Sequence, residues 1–361
     1  MSRKGEPDTR LSARNAKFPW ASFVVSLGRA RQAGLRCYRR SLATVMDELE
    51  SPSHPDPSQP LAADEPALRQ RPDLTPARRN VLFEGSDGLR AGWRIFLYIG
   101  MGVVIFFLLS PLVALIPERG AGFLWRDMFM EAVMAISALA PGFAMARIEN
   151  RSFGAYGLPG RAASGKQFGL GALWGITSFS FLMLLLRGFG AFTFGHMVLH
   201  GERALHFAVF WAAYFLLVGF FEESALRGYI QFTLGNSIGF WTSALLLSLA
   251  FGGLHGLNSG ERWIGELGAA AIGLFFCLTL RRTGSLWFAV GMHASWDWAE
   301  SYLYSVPDSG GVVPGHLLHS SLHGSRWLTG GSVGPEGSVL LFFVIVLLWV
   351  VFDRMYPART T

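Results

Sequence analysis

The sequence predicts an all-α, polytopic membrane bundle of about eight transmembrane helices, preceded by a disordered N-terminal extension. Apolar residues make up 51% of the 361 residues, charged residues make up only 16%, and long apolar runs alternate with short polar breaks from Ile95 onward. A soluble domain carries about 25% charged residues. The two cysteines are too few for a disulfide framework or a thiolate metal cage.

The N-terminal part differs in composition from the rest. Residues 1–80 are interpreted as a basic, Pro-rich extension and linker, and residues 81–361 as the membrane domain. Residues 1–45 hold ten Lys or Arg against two acids, and residues 51–76 hold seven of the 17 prolines. We expect a flexible cytoplasmic extension, with a segment lying on anionic lipid as the alternative. Met46 is an alternative start to Met1. Because the positive charge is confined to this tail, no nucleic-acid partner is expected.

Eight apolar runs are candidates to cross the roughly 30 Å hydrocarbon layer at 1.5 Å per residue. They are Ile95–Ile116, Met128–Ala146, Phe168–Leu186, His206–Phe232, Ile238–His255, Trp263–Leu280, Leu286–Tyr304 and Val339–Phe352. With a cytoplasmic N-terminus, the loops rich in Lys and Arg all fall inside, and segment 305–338 falls outside. The sequence therefore predicts a multi-pass integral protein of a bacterial-type cell membrane.

Ionisable side chains interrupt three of these runs. They are Glu222, Glu223 and Arg227 in the fourth, His255 at the end of the fifth, and His293 and Asp297 in the seventh. A charge at the centre of a lipid-facing helix costs about 2.5–3.5 kcal/mol. We therefore expect these side chains to face one another, or water, inside the bundle.

Helical spacing gives the first detail of this polar group. Glu223 and Arg227 are four residues apart, so they share a helix face and should form a structural ion pair. Glu222 points about 100° away and is free for another role. In a straight helix, His255 lies closer to the outer side of the membrane than Glu222 and His293 do. A helix break at Gly252-Gly253 would return His255 to their depth.

The group suits the hydrolysis of a peptide bond without a covalent nucleophile. A carboxylate in a pocket of low dielectric can act as general base on water, and a histidine can hold that water. A second histidine can donate a hydrogen bond to a developing oxyanion. Alternatively, His255, His293 and Glu222 could hold a zinc ion with one position open. The first reading needs no cofactor, and the residues alone leave both open.

The ordered set EExxxR, FxxxH and HxxxN/D, each on its own span, resembles the CPBP family. That family includes type II CAAX prenyl endopeptidases and bacterial bacteriocin-processing or immunity (Abi) proteins. The resemblance covers about residues 205–300 and implies a glutamate-dependent intramembrane endopeptidase. It implies that Glu222 is the base, assisted by His255, with Glu223 and Arg227 in support.

The resemblance also implies that His293 and residue 297 form the oxyanion side. Asp297 stands where the prenyl endopeptidases typically have Asn, and an ionised Asp cannot donate a hydrogen bond. Asp297 must then be protonated, or it must orient His293. The implied partners are the lipid bilayer and a peptide or protein substrate, with or without an attached lipid. A non-catalytic immunity or interaction protein and a transporter with a buried proton relay are the alternatives.

Overall fold

The computed structural model describes residues 84–85, 88–117, 122–160, 163–258 and 260–358. The predicted basic tail and Pro-rich linker, and the choice of start codon, lie outside these residues. Strands β1 (Glu84–Gly85) and β2 (Gly88–Leu89) form a short antiparallel hairpin. The residues from Ala91 onward form a separate compact unit that is mostly helical.

The helices of this unit overlap all eight of the predicted apolar runs. They are α1 (Ala91–Val113), α2 (Gly122–Ile148), α3 (Ala163–Gly188), α4 (Gly201–Glu223), α5 (Tyr229–Ile238), α6 (Phe240–His255), α7 (Trp263–Thr283), α8 (Trp287–Trp298), α9 (Arg326–Thr329) and α10 (Leu340–Met355). Two π-helical turns, Ser224–Gly228 and Ala299–Leu303, follow α4 and α8. Between α8 and α10, strand β4 (Ser321–Leu322) pairs antiparallel with β3 (Phe192–Thr193), which follows α3.

The all-α membrane class is confirmed, and the structure refines the lengths of the spans. Within the described residues, five helical segments are long and apolar enough to cross a membrane: α1, α2, α3, the continuous segment Gly201–Ile238, and α7. Helices α6 and α10 have 16 residues each, and α8 has 12 before its π turn. Five of the eight predicted spans therefore correspond to segments long and apolar enough to cross a membrane, and the other three coincide with shorter helices.

Close backbone packing of α3 against α8 fixes the position of the helix that carries His293. Gly175 of α3 lies against the Met292 carbonyl and the Ser295 hydroxyl, and Gly291 of α8 lies against the Phe168 carbonyl. A Cβ at either glycine would overlap these atoms. Small residues allow such close approach of helices in a membrane, where van der Waals packing drives association.

Glycine also sets the contact between α6 and α7, in a way that corrects one expectation. Helix α6 is continuous through Gly252-Gly253 and ends at His255, so these glycines do not break the helix. Gly252 instead packs against the Glu266 carbonyl and Ala270 of α7. The glycine pair is therefore explained by close helix packing, and His255 reaches its place as the last residue of an intact helix.

Replacement of Gly175 by leucine should disrupt the α3–α8 contact. Overpacking typically costs about 1–3 kcal/mol, so we expect the melting temperature of the detergent-purified protein to fall by about 5 °C. Gly169→Leu is the matched control, because no atom lies within 4 Å of a Cβ at this position of the same helix. Equal melting temperatures for the two variants would contradict the packing described here.

Candidate active site

The structure places the six predicted residues on three helical segments. Glu222 and Glu223 end α4 and Arg227 lies in the π turn that follows, His255 ends α6, and His293 and Asp297 lie in α8. A π turn holds one residue more than an α turn, which changes the direction of the side chains that follow it. Such turns occur frequently at functional sites.

His293 is the centre of this group, because it contacts three carboxylates. Its Nδ1 lies 2.9 Å from Glu223 Oε1, and its Nε2 lies 3.6 Å from both Glu222 Oε2 and Asp297 Oδ2. A carboxylate only accepts hydrogen bonds, so we assign a proton to Nδ1, which donates to Glu223. The opposite nitrogen then faces two acids that it does not hydrogen bond.

The predicted Glu223–Arg227 ion pair is present. Arg227 Nη1 donates to Glu223 Oε1 over 3.1 Å, and both side chains are fully buried. The guanidinium carbon lies 4.1 Å from the centre of the Phe251 ring, a cation–π contact between the π turn and α6. On α7, Gly273 leaves room for the guanidinium, because a Cβ there would overlap Nη2.

His255 belongs to the same region through Phe251. Its Nδ1 lies 2.9 Å from the Phe251 carbonyl oxygen, to which it donates, and the two rings are 4.4 Å apart. Since Nδ1 carries this hydrogen bond, Nε2 remains to accept a proton or a hydrogen bond. In the described part of the chain, no hydrogen bond or ion pair joins His255 to Glu222.

Both histidines line one cavity. His255, His293 and Asp297 line it, whereas Glu222 is not part of its wall and is linked to it by the contact with His293. The apolar part of the wall consists of Phe251, Ala269, Ile272, Phe276, Met292, Trp296 and Leu341. The cavity therefore combines a few polar groups with a mostly apolar wall, as ligand-binding cavities generally do.

Among the cavity residues that sequence reasoning missed, two are acids and one contacts the His293 ring. Glu261 comes from the loop before α7 and lines the cavity, and burial raises its pKa. Glu336 comes from the short turn before α10. Phe276 stacks on the His293 ring at 5.6 Å. No local pattern marks these residues, because their role arises only when distant segments meet.

The solvent exposure of the side chains distinguishes residues that a substrate could contact from residues that only hold other side chains in place. The Glu222 side chain is 21% exposed and that of His293 is 12% exposed, whereas Glu223 and Arg227 are completely buried. Two acids adjacent in sequence therefore have different environments. Glu222 can meet water, and Glu223 can only hold its neighbours in place.

The proposed zinc ligands are not gathered at coordination distance. Among the described residues, one set of three potential ligands has its atoms within 4.8 Å of one another, and it consists of Glu300, Asp308 and Glu336. His255, His293 and Glu222 do not form such a set, so a zinc ion held by them would require these side chains to move together.

Comparison with known families agrees with the motifs. Residues 204–299 match the family model described as Type II CAAX prenyl endopeptidase Rce1-like. The matched segment begins within α4, ends just after α8 and contains all six candidate residues. The resemblance to the CPBP intramembrane proteases is thereby confirmed over this segment. Among curated proteins, none matches the chain.

Removal of the buried cation should be costly. Arg227→Met leaves the Glu223 carboxylate buried without its partner, which typically costs about 3–5 kcal/mol. The double variant Glu223→Gln/Arg227→Met has no buried charge at this pair, and the amide oxygen can still accept from His293. We expect thermal unfolding of the double variant to lie closer to wild type than that of Arg227→Met, with the exposed Arg203→Met as control. The ion pair would be contradicted if the loss of stability in the double variant equalled the sum of the losses in Arg227→Met and Glu223→Gln.

Proposed function

We propose that the chain is an intramembrane endopeptidase that hydrolyses a peptide bond near the bilayer with water activated by Glu222. The observation that carries the proposal is the paired environment of the two acids. Glu222 is partly exposed and lies beside His293. Glu223 also contacts His293, but it is completely buried and forms an ion pair with Arg227. The match to the Rce1-like family supports the reaction class.

In this proposal Glu222 and His255 act on the water and the leaving group. Glu222 accepts a proton as the water oxygen attacks the scissile carbonyl carbon. His255 uses its open Nε2 to accept the second hydrogen of the same water, and it passes that proton to the amine nitrogen as the C–N bond breaks. The two side chains do not touch, so the water and the substrate would occupy the space between them.

His293 would stabilise the oxyanion. With Nδ1–H donated to Glu223, a second proton on Nε2 gives a donor held in a fixed direction by the protein. Asp297, 3.6 Å from Nε2, favours this protonated ring through its negative charge. The geometry therefore favours the orienting role for Asp297 over the role of hydrogen-bond donor.

The substrate would be a peptide or protein segment close to the lipid, with or without a prenyl group. The apolar wall of the cavity suits an apolar side chain or part of a lipid chain. The segment that matches the family contains the site, and it does not include the N-terminal extension or the 305–338 region. We extend the proposal to a cytoplasmic N-terminus, on the basis of the Lys and Arg distribution.

Purified protein in proteoliposomes provides the direct test. Wild type should cleave a farnesylated CAAX reporter peptide, its unlipidated form, or both. Glu222→Gln and His255→Ala should each lower the turnover number by about 10²–10⁴, the range for loss of a general acid or base. Glu202→Gln, an exposed acid at the start of α4, should leave turnover unchanged.

The same preparation distinguishes the rival functions. A transporter would give pH-dependent flux across the vesicles without cleavage, and an immunity or interaction protein would give neither. Unchanged turnover in a folded Glu222→Gln variant would contradict the role of this carboxylate. Inhibition of wild type by a zinc-selective chelator in the presence of excess Ca²⁺, with recovery on addition of Zn²⁺, would favour the zinc alternative.

A further inference from the structure

A second polar group lies beside the candidate active site. Glu300 comes from the π turn after α8, Asp308 from the following turn, and Glu336 from the turn before α10. One carboxylate oxygen from each lies within 4.8 Å of the others. Segments separated by up to 36 residues along the chain thus bring three carboxyl groups to one point.

The burial of Glu300 gives an independent reason to expect a ligand. Its side chain is completely buried, and neither carboxylate oxygen accepts a hydrogen bond from a described residue. A buried carboxylate without a partner is costly, and such groups are normally paired or bound to a metal ion. Glu300 is directed towards Asp308 and Glu336, which are also carboxyl groups and offer it no cationic partner.

The two other acids are held in place by neutral donors. Ser301 Oγ donates to Asp308 Oδ2 over 2.9 Å, and the Trp296 indole N–H donates to Glu336 Oε1 over 3.2 Å. In the described part of the chain, no Lys or Arg forms an ion pair with any of the three acids. Burial raises the pKa of Glu336 to about 8 and that of Asp308 to about 6.

We propose that Glu300, Asp308 and Glu336 form a binding site for one divalent cation, with Ca²⁺ as the best-fitting ion. Carboxylate oxygens are the ligands that hard cations prefer. Ca²⁺ binds oxygen at about 2.3–2.6 Å, so ligands on opposite sides of it are about 4.6–5.2 Å apart. Asp308 and Glu336 are only partly buried, which leaves room for the water molecules that complete its coordination.

Such an ion would join the end of α8, the 308–311 turn and the turn before α10. Glu336 and Trp296 also line the cavity, so the ion would stabilise one wall of the candidate active site. This site shares no ligand with the His255, His293 and Glu222 set. Its binding test does not depend on proteolysis.

Terbium luminescence tests the site, because Tb³⁺ occupies Ca²⁺ sites and is excited by a nearby tryptophan. Full-length protein in detergent is first treated with a chelator and then titrated with Tb³⁺ alone. We expect one site per chain, with emission sensitised by Trp296 and displaced by Ca²⁺ at about 0.1–1 mM, as in weak Ca²⁺ sites. Asp308→Asn and Glu336→Gln should weaken binding at least about tenfold, because affinity follows the number of charged ligands.

Glu202→Gln again serves as the control and should bind like wild type. Thermal melting separates lost binding from misfolding: in chelator, Asp308→Asn should melt at or above the wild-type temperature, because it removes like-charge repulsion. In 2 mM Ca²⁺, wild type should gain several degrees and this variant should gain none. Emission that is equal in all variants, or not displaced by Ca²⁺, would overturn the proposal.

Discussion

The carboxylate of Glu223 has no exposure to solvent, and it contacts groups from two separate parts of the bundle. Arg227 donates to it from the following π turn, and His293 donates to it from α8. A buried charge is tolerated only when it is paired and hydrogen bonded. Because both contacts depend on this one group, Glu223 links the acid segment of α4 to the histidine of α8 and fixes the direction of the imidazole ring.

The same constraint gives neighbouring residues different tasks. Glu222 remains partly exposed and lies near His293 Nε2, while Glu223 accepts a hydrogen bond from His293 Nδ1. The Arg227 guanidinium lies on Phe251, whose carbonyl oxygen holds His255. One continuous set of contacts therefore runs from α4 through α6 to α8, and its polar atoms reach the cavity. The close contact of α3 with α8 supports this set from the outside.

Local physics explains which parts of this arrangement could be predicted from the sequence. The spacing of Glu223 and Arg227 and the cost of charges in lipid were sufficient to predict their ion pair. The Glu223–His293 hydrogen bond joins residues 70 positions apart, so no periodicity indicates it. Gly252 was misread because a glycine that breaks a helix and one that permits close packing look alike in a sequence. The cluster of Glu300, Asp308 and Glu336 depends on turns between helices, where no repeating pattern exists.

We propose that Glu222 activates water for cleavage of a membrane-associated peptide. The most direct measurement compares the peptide termini in membranes of cells that contain wild-type protein or Glu222→Gln at equal abundance. We expect a defined set of termini that is present with wild type and absent with the variant, while both proteins have the same melting temperature. Identical sets of termini from the two membranes would contradict it.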